Sequence, residues 1–97
     1  MINHRITENS FIARIAAWKL GTPRVAIVIG TTIYLFGATR EAFLSDPRWV
    51  KHELCHVRQF SDHGFVPFIA MYLIESILNG YYNNKYEVEA RMAEIGD

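Results

Sequence analysis

Apolar spacing in the first half of the chain predicts a helix followed by a hairpin. Apolar side chains recur at helical intervals over residues 11–20, and either Asn9 or Ser10 can cap the first turn of this helix. Two short β-branched runs come next, and Gly30-Thr31 between them is typical of a tight turn. The predicted strands are residues 24–29 and 32–36.

Two shorter segments complete this half of the chain. Ala42-Phe43-Leu44 is apolar and brief, which predicts a third strand, and an edge strand at this place is a candidate for binding an extended peptide. Residues 1–8 are mostly polar, and we expect them to form a loosely ordered start.

The second half of the chain predicts helices. Asp46 can cap the first of them and Pro47 suits its first position, so we expect a helix from there through Phe60. The stretch 65–79 is almost entirely apolar, and it predicts a buried core helix that ends at Asn79-Gly80.

A last helix is predicted to begin at Asn84, with Glu87 three residues later in the place of a capping-box partner. The predicted fold class is therefore α+β: an N-terminal helix, a small three-stranded twisted sheet, the helix after Asp46, the buried helix and a C-terminal helix. Because 97 residues are too few for two independent cores, we expect a single domain over residues 1–97.

Composition and charge exclude several classes of protein. An apolar fraction of 51% excludes a disordered chain, and ten basic residues against ten acidic ones leave no basic surplus for general nucleic-acid binding. The N-terminus lacks a signal-peptide pattern, and the apolar stretch 65–78 is shorter than the roughly 20 residues that span a bilayer. We therefore expect a cytoplasmic protein with at most peripheral membrane contact.

The chemistry of the chain is concentrated in the segment His52-Glu53-Leu54-Cys55-His56, an H-E-x-x-H pattern on a predicted helix. Residues four apart lie one above the other on a helix, so the two imidazoles can bind one metal ion. Glu53 projects from the same side and can hold a water molecule on that metal.

A helical wheel separates the residues of this helix into three faces. Trp49 and Phe60 share the face of the motif residues, and a neighbouring face is expected to pack on the core through Val50, Leu54 and Val57. The remaining side is expected to point to solvent and carries Lys51, Cys55 and Arg58.

Two histidines do not complete a catalytic zinc site, which has three protein ligands. After His56 the chain contains a single further histidine, His63, and no third-histidine pattern surrounds it. A carboxylate from a later helix is therefore expected as the third ligand, and the candidates are Glu75, Glu87, Glu89 and Glu94.

The segment Asn83-Asn84-Lys85-Tyr86-Glu87-Val88-Glu89-Ala90 resembles the N-P-Y-E-x-E-A segment of gluzincin-type zinc metallopeptidases, in which a glutamate helix supplies the third ligand. Together with the run Gly30–Leu35 and the segment His52–Phe60, it is similar to the minimal gluzincin domains called minigluzincins. The resemblance covers about residues 24–91 and rests on two motifs.

This resemblance implies a zinc-dependent metallopeptidase that hydrolyses peptide bonds in peptide or protein substrates with a zinc-activated water. His52, His56 and Glu87 match the zinc ligands of the family, Glu53 matches its general base, and Glu89 matches a non-ligating acidic position. Arg91 departs from the pattern, because relatives often have there an Asp that orients a zinc-binding histidine. That partner is then expected from Glu89, Glu75 or a backbone carbonyl.

Three other interpretations stay open at this point. The protein can share the zincin fold and yet be catalytically inactive or latent, or its zinc can be structural within a metal-binding interaction module. The apolar stretch 65–78 can also form a face that docks on a membrane surface or on a partner. Three tyrosines near the expected site can stabilise an oxyanion or pack in the core: Tyr81, Tyr82 and Tyr86.

Overall fold

The structure is a computed structural model that describes residues 4–96, and its fold is α+β, with five helices and a three-stranded mixed sheet. The elements in chain order are β1 (Arg5–Thr7), α1 (Phe11–Leu20), β2 (Val25–Ile29), β3 (Thr32–Phe36), α2 (Arg40–Leu44), α3 (Pro47–His63), α4 (Phe65–Asn83) and α5 (Lys85–Ile95).

The predicted hairpin is confirmed, and its two strands form most of the sheet. β2 and β3 pair antiparallel from Val25 opposite Phe36 to Ile29 opposite Thr32. Gly30 takes a positive φ of 65° in the turn between them, a conformation that glycine adopts without strain. The strand order is β1-β3-β2, so β2 is an edge strand.

The third strand is not where the sequence pattern placed it. Within the predicted loose start, Arg5–Thr7 pairs parallel with β3, whereas residues 1–3 lie outside the described part of the chain. Ala42–Leu44, predicted as a strand, belongs instead to α2, because the side chain of Thr39 accepts a hydrogen bond from the Ala42 amide and starts a helical turn. The proposed peptide-binding edge at this place is therefore wrong.

The main apolar core lies between the sheet and α3. Its fully buried members are Ile33 and Leu35 from β3, Phe43 from α2 and Val57 from α3. Leu54 and Val50 pack against this cluster, as the helical wheel predicted. On α1, by contrast, the buried residues are the small Ala13 and Ala17, and the larger apolar side chains of that helix stay exposed.

α3 and α5 begin as predicted. Asp46 caps α3 by accepting from the Trp49 amide at 3.2 Å, with Pro47 at the first position. Asn84 caps α5 by accepting from the Tyr86 amide at 2.9 Å, and the Asn84 side chain is fully buried. These caps fix where each of the two helices starts, and therefore which side chains they direct at each other.

α4 differs from its prediction mainly in its burial. Gly80 breaks its helical geometry with φ 79° and ψ 167°, close to the predicted end. The expected burial, however, is not found: Phe68 is buried against Phe60 and Tyr86, whereas Leu73 and Ile77 are exposed. No single helix within residues 4–96 is long and apolar enough to cross a membrane.

Candidate metal centre

α3 presents the H-E-x-x-H residues toward α5. The rings of His52 and His56 lie one helical turn apart, with their centroids separated by 5.1 Å. His56 and Glu53 are buried, and the side chain of His52 is 17% exposed.

Val50, Leu54 and Val57 face the core as the helical wheel predicted, but two other residues of α3 do not follow it. Trp49, expected on the motif face, packs on the core with its ring 5.0 Å from that of Phe43, and Cys55 is buried rather than exposed to solvent, since α5 covers it.

Glu87 lies in the first turn of α5 and points back at the two histidines. Its Oε1 atom is 3.2 Å from the Nε2 atom of His52 and 3.2 Å from the Nε2 atom of His56. It occupies the capping-box position after Asn84, but its carboxylate faces the imidazoles rather than the helix start. Of the four carboxylates considered as the third ligand, Glu87 is the one that meets both rings.

The three side chains fit a divalent metal ion such as zinc. One donor atom from each of His52, His56 and Glu87 lies within 4.8 Å of the other two, and they form the one such group among residues 4–96. Tetrahedral zinc with bonds of about 2.0–2.2 Å separates its ligand atoms by about 3.3–3.6 Å, close to the two nitrogen–oxygen distances of 3.2 Å. Three protein ligands leave the fourth position of such an ion open.

The outer nitrogens of both imidazoles are held by hydrogen bonds. Nδ1 of His52 lies 2.7 Å from Oε2 of Glu94, and because a carboxylate only accepts, this nitrogen donates. Nδ1 of His56 donates to Oε1 of Gln59 at 2.8 Å, since the amide nitrogen of Gln59 donates to Glu89 at 2.6 Å and to the Tyr86 carbonyl at 3.1 Å. These bonds fix both ring orientations.

This arrangement identifies a place for a cation. With Nδ1 donating, a neutral imidazole carries a lone pair on Nε2, and two such lone pairs would face the carboxylate oxygen of Glu87. Acceptors repel each other unless a positive charge lies between them. Either protons on both Nε2 atoms or one metal ion can supply that charge.

The titration behaviour of the cluster follows from the same geometry. Burial alone would lower the pKa of His52, but the hydrogen bond to Glu87 and the nearby carboxylates outweigh it and raise the pKa to about 9. His56 follows the same pattern, and its pKa is raised. Burial would raise the pKa of Glu87, but hydrogen bonds from both histidines hold that pKa well below its usual range. These shifts favour protonated histidines in the metal-free protein, where a proton takes the place of the cation.

Glu53 has a different environment from Glu87. Burial raises its pKa to about 7, and the charges of His56 and His52 oppose the rise only in part. Its side chain lines a cleft together with both histidines. A carboxyl group with a pKa in this range can both take up and release a proton near neutral pH.

The sequence did not single out Tyr72 on α4. Its hydroxyl donates to Oε2 of Glu87 at 2.5 Å, so that Glu87 is held through both of its oxygens. Burial together with this hydrogen bond raises the pKa of Tyr72. The available signal was a hydroxyl within an otherwise apolar run, and such a residue does not by itself indicate a contact across to α5.

The other candidate residues lie around the cluster rather than in it. Glu75 accepts from the Lys85 amide at 3.0 Å and helps to start α5, so it is neither a ligand nor a partner of a histidine. Glu89 reaches His56 only through Gln59, while Glu94, first considered as a ligand, holds His52 from outside. Of the three tyrosines, Tyr81 lines the cleft, Tyr86 is buried, and Tyr82 stacks under Arg91.

The cleft beside the cluster has a volume of about 380 Å³ and mainly apolar walls. Its lining includes the edge strand β2 and, from α4, Phe68, Ile69 and Leu73. His52, Glu53, His56 and Glu87 provide its polar end. A ligand in this cleft would therefore have apolar parts along its length and a polar group at the histidines.

Comparison with protein-family models, with curated proteins and with solved structures gives no match. The candidate site therefore rests on the residues and distances described above.

Proposed function

We propose that the protein is a zinc-dependent metallopeptidase of the gluzincin type, in which His52, His56 and Glu87 hold the metal ion and Glu53 is the general base. The observation that carries this proposal is the position of Oε1 of Glu87, 3.2 Å from Nε2 of both histidines. The resemblance of both sequence motifs to gluzincins agrees with it, and the proposed topology is that of a minimal zincin domain.

Each residue has a role that follows from its contacts. The bonds from Glu94 and Gln59 to the Nδ1 atoms leave both Nε2 lone pairs available for the metal. Tyr72 fixes the second oxygen of Glu87, so that its first oxygen faces the metal position. Zinc, when bound, supplies Lewis acidity that polarises a carbonyl oxygen and makes a water molecule more acidic.

Glu53 carries the proton transfers in this proposal. Its carboxylate takes a proton from the attacking water and delivers that proton to the nitrogen of the peptide bond that breaks. Burial raises the pKa of Glu53, and a raised pKa favours a carboxylate that takes up a proton from water. The apolar walls of the cleft favour a peptide with apolar side chains next to that bond.

The experiment is hydrolysis of a fluorogenic peptide library by the zinc-loaded protein and by Glu53→Gln. We expect Glu53→Gln to retain zinc and to lose about 10²–10⁴-fold in turnover, the usual contribution of a general base. Glu41→Gln, the same change at an exposed position of α2, is the matched control and should keep full turnover.

Two outcomes would contradict the proposal. Unchanged turnover in Glu53→Gln would remove Glu53 from the chemistry. Stoichiometric zinc in a wild-type protein that cleaves no peptide in the library would instead favour the alternative, a latent or inactive zincin-fold protein that binds metal.

A further inference from the structure

Polar contacts join α4 to the first turn of α5. The one buried residue of α4 is Phe68, so apolar burial does little to fix this helix in place. Glu75 accepts from the Lys85 amide at 3.0 Å, and the hydroxyl of Tyr72 donates to Oε2 of Glu87 at 2.5 Å. The position of Tyr72 against Glu87 therefore depends on a few directional hydrogen bonds.

Asn84 lies at the junction of these two helices and is fully buried. Its side-chain oxygen accepts from the Tyr86 amide at 2.9 Å, and this bond caps α5. Its side-chain nitrogen donates to the carbonyl of Tyr72 at 3.0 Å and to the hydroxyl of Ser76 at 2.9 Å. Because a backbone N–H only donates and a carbonyl only accepts, the amide of Asn84 satisfies both helices in this one orientation.

The side chain of Asn84 makes more bonds than a helix cap requires. A cap needs only the accepting oxygen, which Ser, Thr and Asp also supply. The two bonds that Asn84 donates to α4 instead hold Tyr72 beside the start of α5, and Glu87 lies three residues after Asn84 on that helix. The bond to the carbonyl of Tyr72 therefore helps to set where the hydroxyl of the same residue meets Glu87.

We propose that Asn84 is a positioning residue for the metal centre and that it acts through Tyr72 on Glu87. Asn84 holds the carbonyl of Tyr72, and the hydroxyl of Tyr72 holds Oε2 of Glu87. Oε1 of Glu87 then faces the Nε2 atoms of both histidines. Groups that orient a metal ligand contribute to metal affinity without touching the metal. The inference rests on the proposed function, because it concerns the same zinc site.

The experiment measures zinc affinity, by competition with a chromophoric chelator, and urea unfolding in Asn84→Ser and Asn84→Asp. Both changes keep an oxygen that can cap α5 but remove the donor to α4. We expect the zinc affinity of the folded protein to fall about 10–100-fold, whereas a purely structural residue would lower stability alone. Asn83→Asp, at the exposed neighbouring position, is the matched control and should bind zinc as the wild type does.

A double-mutant cycle tests whether Asn84 acts through Tyr72. In a Tyr72→Phe background, Asn84→Ser should lower zinc affinity by less than about twofold more, because the hydroxyl that Asn84 positions is gone. Wild-type zinc affinity in folded Asn84→Ser, or a full second loss in the Tyr72→Phe background, would overturn the proposal.

The crystal structure of metal-free Asn84→Ser separates this inference from the proposed function. We expect the hydroxyl of Tyr72 to move out of hydrogen-bond distance of Glu87 while the cap of α5 remains. A retained bond between Tyr72 and Glu87 would overturn the role of Asn84, whether or not zinc binds. A wild-type protein that binds no zinc would instead contradict the proposed function.

Discussion

The two sides of α3 are packed by different kinds of interaction. Toward the sheet, Val57 packs with Leu35 and Phe43 in a buried apolar cluster. Toward α5, the buried residues are polar, and His56 and Glu87 bond directly to each other. The first side is stabilised by the non-directional burial of apolar surface, whereas the second depends on the orientation of every group.

The polar side is complete in its hydrogen bonding. Within residues 4–96, no buried side-chain nitrogen or oxygen lacks a partner. Burying histidines and carboxylates is unfavourable, and their mutual attraction at best roughly compensates for lost hydration. The sheet side of α3 therefore supplies most of the stability, and the α5 side is suited to binding a ligand.

The largest expected effect comes from the apolar side. Phe43→Ala should lower the free energy of unfolding by about 3–5 kcal/mol, because it leaves a cavity in the fully buried core. Urea unfolding of the metal-free protein measures this loss. The folded fraction of this variant should still bind zinc with the wild-type affinity. A loss of zinc affinity as large as the loss of unfolding free energy would show that the apolar side of α3 also determines metal binding.

The second-largest expected effect is a loss of zinc affinity on the polar side of α3, which faces α5. Glu94→Ala should lower zinc affinity about 10–100-fold, since Nδ1 of His52 loses its acceptor, and it should change stability by less than about 1 kcal/mol. Arg48→Ala is the control, because Arg48 contacts Glu94 but not the histidine. Competition with a chromophoric chelator gives the affinity, and equal losses in the two variants would contradict this role of Glu94.

The helix starts and the histidine spacing could be predicted from the sequence, because both depend on local signals. The starts of α3 and α5 follow from Asp46, Pro47 and Asn84, and the spacing of the histidines follows from the helix repeat. Once α3 and α5 pack together, these two starts direct the histidines and Glu87 toward a shared point.

The remaining features of the fold and of the site depend on contacts between distant parts of the chain. Arg5–Thr7 becomes a strand only because β3 offers a free edge, and Ala42–Leu44 becomes helical because Thr39 caps it while Phe43 enters the core. Tyr72 and Glu94 reach the site from positions without any periodic signal. The exposure of α4 was missed because an apolar run predicts burial but does not identify what covers it.

A smaller expected effect is the dependence of the stability of the metal-free protein on pH. His52 has a pKa raised to about 9, so its stabilising contribution is fully present below about pH 6.5 and is lost as the pH rises toward 9. The slope should not exceed about 1.4 kcal/mol per pH unit for this one proton. Zinc affinity should rise over the same window, because binding displaces that proton.

Urea unfolding and zinc titration at several pH values test these opposite trends. Phe43→Ala should keep both trends, whereas His52→Gln should reduce both. Metal-free stability that rises between about pH 6.5 and 9 would contradict the assigned protonation of the cluster.

The smallest expected effect concerns Ile77 on the exposed face of α4. Ile77→Ser should change the free energy of unfolding by no more than about 0.5 kcal/mol, because Ile77 is 81% exposed. Thermal unfolding of the isolated protein, followed by circular dichroism, measures the change. A loss as large as that of Phe43→Ala would mean that Ile77 belongs to a buried interface and that the protein has a third packed region.

The most direct test of the central claim is zinc stoichiometry and affinity, measured by equilibrium dialysis and elemental analysis, in Glu87→Gln and Glu75→Gln. Both variants make the same chemical change, but Glu87 faces the two imidazoles and Glu75 faces the start of α5. We predict that Glu75→Gln binds one zinc ion as the wild type does and that Glu87→Gln loses it at equal free zinc. Wild-type zinc binding by Glu87→Gln would contradict the assignment of this metal centre.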